Sequence, residues 1–85
     1  MNWKNIPGNH ETWCHDAQTG DLISITKTVV PKCAEITTGI IESVFVKNEY
    51  TTFCFGEDAD IFYFTVYRKF DPRLPFISSL KRKDN

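Results

Sequence analysis

The clearest pattern in the chain runs from Ile61 to Phe70, where side chains alternate with a period of two. Phe62, Phe64, Val66 and Phe70 fall on one side, and Ile61, Tyr63, Thr65, Tyr67 and Lys69 on the other. That period belongs to a strand with one buried face. The first set reads as core. The second, with two phenols and an ammonium, reads as an amphipathic surface.

Leu22 to Val30 predicts another strand, rich in β-branched residues, with Ile23, Ile25 and Val29 sharing a face and Pro31 as its stop. Tyr50 to Phe55 predicts a third, entered through a tight turn at Asn48-Glu49, with Phe53 and Phe55 on one face. Residues 40–47 are read as a fourth. Seven β-branched residues lie between Ile36 and Val46, with Gly39 among them, and both features disfavour a helix. The spacing of Cys33, Ile36, Ile40, Ile41, Val44 and Phe45 also suits one helical face, so 33–45 keeps a helical alternative. Glu11 to Asp16 reads as a short strand before a turn at Ala17 to Asp21. The alternative there is a helix over 9–19, capped by Asn9 and stopped at Gly20.

The predicted fold class is therefore mostly β: a small single-domain antiparallel sheet or open barrel of four or five strands. The alternative is α+β, with one helix at 9–19 or 33–45 on an antiparallel sheet. Residues 1–10 read as an N-terminal arm and 11–70 as the β core. Residues 71–85 read as a C-terminal segment whose basic end, 81–85, frays.

Length and composition narrow the function. With 85 residues there is room for one domain. Seven Phe, three Tyr and two Trp give a short chain enough area to bury, and leave aromatics over for a surface. The start has no signal-type apolar stretch, and no apolar run approaches the ~18 residues of a membrane span. Three cysteines, Cys14, Cys33 and Cys54, are an odd number and suggest free thiols in a reducing, cytoplasmic setting. Met1 is read as the start of a free-standing product.

Charge is split along the chain. Residues 1–67 carry four basic and nine acidic side chains; residues 68–85 carry six basic and two acidic. Such a dipolar chain can orient towards a charged partner.

Candidate chemistry is sparse. His10, Cys14 and His15, with Cys33 or Cys54 from elsewhere, supply zinc-type ligands, but no closely spaced Cys pair accompanies them, and no metal is expected. Cys14 beside His15 lacks an orienting third group, so no nucleophile is assigned. Glu57, Asp58 and Asp60 form an acidic turn without the other ligands of a calcium loop. These features predict a non-enzymatic module without cofactor. It would bind a larger protein partner through Tyr63, Tyr67 and Lys69, or through Glu57, Asp58 and Asp60, as an inhibitor or regulator of the kind phages and mobile elements encode. Leu74 to Leu80 would complete that face or mediate self-association. The alternative is a small barrel that binds single-stranded nucleic acid through Tyr63 and Tyr67, with Arg68, Lys69 and Arg73 on the phosphates.

Overall fold

The computed structural model describes residues 2–57 and 59–84. In chain order the elements are β1 (Trp3–Asn5), α1 (His10–Asp16), β2 (Leu22–Val29), β3 (Lys32–Val46), β4 (Tyr50–Glu57), β5 (Asp60–Tyr67) and β6 (Phe76–Lys83). The strands form one open antiparallel sheet in the order β1-β6-β2-β3-β4-β5. The fold is mostly β, as the sequence predicts, with six strands rather than four or five and a single short helix. Among the described residues no helix is long and apolar enough to cross a membrane.

The first correction concerns 11–16, which is helix and not strand. Asn9 sits in extended backbone before the helix and accepts from the Thr12 N–H at 3.2 Å, while its own N–H donates to Thr12 Oγ1 at 2.9 Å. This reciprocal cap satisfies donors that a free helix start leaves open. The helix is shorter than 9–19: Ala17 is already extended, and its N–H closes the last turn on the Trp13 carbonyl at 3.0 Å. Gly20, at φ +93°, takes the left-handed backbone of the following turn, where a Cβ would be strained.

The second correction concerns 33–45, all of which is strand. β3 spans 15 residues and pairs with β2 over its first part and with β4 over its second. Two hairpin partners override the helical spacing. The register shifts between Ile41 and Ser43, which sets Glu42 as an extra residue in the β3–β4 ladder. The Glu42 side chain occupies the space that a Cβ at Gly56 would need, so position 56 accepts only glycine without displacing it.

The third correction concerns the C-terminal end. Residues 81–83 do not fray: β6 lies inside the sheet between β1 and β2. Ile77 and Leu80 are three residues apart, which an unbroken strand would place on opposite faces. A register shift at Ser78 lets Ile77 face Ile25 and Leu80 face Ile23, and both are buried. Phe76 to Leu80 thus belongs to the chain's own sheet, while Leu74, before the strand, is exposed.

The helix lies on the inner face of the sheet. Beneath it gather Cys14, Ala17, Ile23, Ile25, Ile41, Phe53, Phe55, Val66, Ile77 and Leu80. Of the predicted inward set on β5, Val66 is buried and Phe64 half-buried, while Phe62 is more open and stacks on Phe55 with ring centroids 5.3 Å apart. Phe70 lies beyond the strand and meets Phe76 edge-on at 4.9 Å. One charge pair is built into this framework. Buried Asp21 receives Arg82 Nε and Nη2, each at 2.9 Å, and the Gln18 N–H at 2.9 Å. Arg82 Nη2 also donates to the Asp16 carbonyl at 3.1 Å, so one guanidinium ties β6 to the end of α1 and the start of β2.

Candidate functional site

The outer face of β3, β4 and β5 carries the exposed aromatics. Along β4, Thr51, Phe53 and Phe55 point into the core, so Tyr50, Thr52 and Cys54 point outwards. The register sets Tyr50 opposite Tyr67, Thr52 opposite Thr65 and Cys54 opposite Tyr63. On the other side of β4, Phe45 faces Thr52 and Ser43 faces Cys54. Phe45 and Tyr63 lean towards each other across β4, with centroids 6.5 Å apart. Tyr50 and Tyr67 meet edge-on at 6.2 Å. Cys54 is small and lies between these neighbours, which explains its burial on an outward position.

Tyr63 is 64% exposed, Ile61 60%, Tyr67 54% and Phe45 49%. Together with Tyr50 they give this face two aromatic pairs and an exposed isoleucine, apolar surface that carries phenol hydroxyls. Surfaces of this kind are uncommon where nothing binds. The structure brings predicted Tyr63 and Tyr67 onto this face. Lys69 is exposed just past Tyr67 and borders, with Phe70, Asp71, Arg73 and Leu74, a shallow depression. Asp60 is exposed at the opposite end of β5. Asp58 and the Glu57 side chain lie outside the described residues. Phe45 and Tyr50 were missed by the sequence reading. The available signal was their alternation with inward Val44 and Phe53, once those strands are paired.

Of the three basic residues proposed for phosphate contact, Arg68 and Arg73 each have a partner within the chain. Arg73 is held by Asp71 through Nε at 3.2 Å and Nη2 at 3.1 Å, and these bonds hold the Asp71 carboxyl below the usual carboxylate range. Arg68 donates through Nη2 to the Lys47 carbonyl at 3.2 Å. Lys69 remains on the exposed rim.

The helix places His10 and Cys14 one turn apart on its buried side, and leaves His15 exposed. His10 Nδ1 accepts the Ile77 N–H at 2.8 Å, so Nε2 carries the ring proton and donates to the Tyr67 carbonyl at 2.6 Å. Cys14 Sγ is 3.8 Å from that same nitrogen. Burial pushes the Cys14 thiol up to about 11; the Arg68 charge pulls it down and Glu11 adds a smaller upward push. With its ring nitrogens committed, His10 has no lone pair left to take the thiol proton. Among the described residues no three or more His, Cys, Asp or Glu side chains gather as metal ligands.

All three thiols are free, with Cys14 and Cys54 buried and Cys33 exposed. A thiol reagent at neutral pH is therefore expected to label Cys33 quickly and the other two only after unfolding. Peptide mapping of the labelled protein checks this. Rapid native labelling of Cys14 would contradict its placement under the sheet.

No family model matches the chain, no curated protein matches it, and no solved structure matches it significantly.

Proposed function

We propose that this protein is a small protein-binding module that regulates or inhibits a larger protein by covering part of its surface. The observation that carries the reading is the exposed aromatic patch of Phe45, Tyr50, Ile61, Tyr63 and Tyr67 on the outer face. Tyrosine gives large contact area with two rotatable angles and a hydroxyl for orientation, and it recurs at the centres of protein interfaces. Asp60 at one end and Lys69 at the other give the patch a polar rim of both signs, which suits register with a protein surface.

The test is affinity capture from a cell lysate treated with nuclease, run beside Tyr63→Ala combined with Tyr67→Ala. Both side chains project away from the core, so the double variant is expected to keep the wild-type melting curve. It is expected to lose the captured protein by at least tenfold, the scale of one hot-spot residue. A partner retained in full by the double variant would sink the proposal. Recovery of nucleic acid, with every bound protein lost after nuclease, would replace it with the single-strand reading.

A further inference from the structure

The two edges of the sheet are protected unequally. β1 closes one edge with three residues, carries Lys4 at its centre, and is followed by Pro7. β5 forms the other edge with eight residues, and no charge or proline falls between Ile61 and Tyr67. Among the described residues no strand pairs with β5 except β4. Long apolar edges invite pairing, and short, charged or proline-bearing ones avoid it.

The direction of the unpaired groups follows from the ladder. Arg68 N–H donates to the Glu49 carbonyl at 2.8 Å. Antiparallel hydrogen bonding alternates along a strand, so the even residues from Asp60 to Val66 bond β4. Ile61, Tyr63 and Thr65 then turn both N–H and C=O groups to the open edge, and Tyr67 turns its N–H there, its carbonyl being taken by His10 Nε2.

We infer that this edge pairs with β5 of a second copy of the chain, antiparallel, about a twofold axis at Phe64. A twofold axis makes the contact self-complementary and closed. In this register Ile61 of one copy faces Tyr67 of the other, and Tyr63 faces Thr65. All of these are residues with outward-turned backbone, and with the Tyr67 carbonyl kept by His10 the ladder gains about six hydrogen bonds. Phe62 faces Val66 and Phe64 faces its own copy, which keeps the inner face apolar across the joint. Charge selects the register: Asp60 of each copy falls opposite Arg68 of the other. With the axis at Tyr63, Asp60 would face Val66; with the axis at Thr65, it would face Phe70 beyond the strand. The Arg68 guanidinium uses Nη2 on the Lys47 carbonyl and has further N–H groups in its fork for a carboxylate.

The inference stands apart from the proposed partner-binding face, because the edge is made of main-chain groups that Tyr63→Ala and Tyr67→Ala leave in place. Its test is the solution mass by sedimentation equilibrium over a wide concentration range. The wild type is expected to reach twice the monomer mass. Thr65→Pro removes an N–H that points to the open edge and no bond to β4, so it is expected to return the protein to monomer mass. Asp60→Arg alone and Arg68→Asp alone are each expected to weaken the dimer by about tenfold. The double swap, Asp60→Arg with Arg68→Asp, is expected to restore it. The charge variants, at exposed Asp60 and half-buried Arg68, keep the test sharp should Thr65→Pro fold poorly. A wild type that stays at monomer mass overturns the inference, as does a dimer indifferent to both single charge reversals.

Discussion

Replacing Arg82 with methionine is expected to destabilise the fold by about 3 kcal/mol, which lowers the melting temperature by roughly 12–24 °C in a domain of this size. Methionine keeps much of the side-chain length, so the change removes charge and hydrogen bonds more than packing. The Asp21 side chain is 2% exposed and the Arg82 side chain 41%. Water can hydrate the guanidinium but not the carboxylate, so the loss falls on Asp21. It would keep one donor, the Gln18 N–H. The Asp16 carbonyl at the end of α1 would lose its partner too. Adding Asp21→Asn to the variant is expected to recover part of the stability, because a buried amide needs less than a buried anion. Arg73→Met supplies the contrast: its pair with Asp71 is on the surface, with the Arg73 side chain 87% exposed, and its melting curve is expected to match the wild type. Thermal and urea unfolding of the three variants check this. Equal melting curves for Arg82→Met and Arg73→Met would show that Asp21 is not held as described.

Arg82 also shows why part of the fold escapes a linear reading. Its partner lies 61 residues away, and nothing local distinguishes it from Lys81 or Lys83. The basic run therefore reads as a solvated end. The alternation that marks β6 is broken at Ser78, and without it Ile77 and Leu80 have no strand period. β5 and β4 are legible for the opposite reason: their ladder has no register shift, so inward and outward residues alternate without interruption. β2 is legible as far as Ile25, after which the shift against β3 leaves Val29 exposed rather than in line with Ile23 and Ile25. α1 has seven residues, too few for a helical period to stand out. Its start at Asn9 is nevertheless written in the chain, because the Asn-x-x-Thr spacing is local chemistry.

The candidate site divides along the same line. Tyr63 and Tyr67 share one strand, so their common face follows from alternation alone. Phe45 and Tyr50 join them only through the pairing of β3 with β4 and of β4 with β5. A surface assembled from three strands is visible in sequence only to the extent of its longest uninterrupted strand. The helical pairing of His10 with Cys14 is legible from spacing once α1 is known to be a helix. That the pair is enclosed, and committed to backbone, is a property of the assembled sheet.

His10 gives the second large effect. His10→Leu is expected to destabilise the protein by about 3 kcal/mol, from one buried and one part-buried backbone group left without partners at about 1–3 kcal/mol each, the buried one at the upper end. The imidazole joins three elements: it is the first residue of α1, accepts from Ile77 in β6 and donates to Tyr67 at the end of β5. These strands are not neighbours in the sheet, so no ladder bond replaces the lost bridge. Phe70 and Phe76 enclose the ring edge-on at 6.2 and 6.4 Å, which limits the water that could take its place. Leucine fills the volume, so the difference reports on hydrogen bonding rather than on a cavity. Glutamine has one acceptor and one donor at its end, and His10→Gln is expected to lose about half as much. Hydrogen exchange gives the local readout. In His10→Leu the Ile77 amide is expected to exchange faster than its neighbours in β6, and more than the fall in global stability explains. A slow Ile77 amide in that variant would mean that another group accepts its proton.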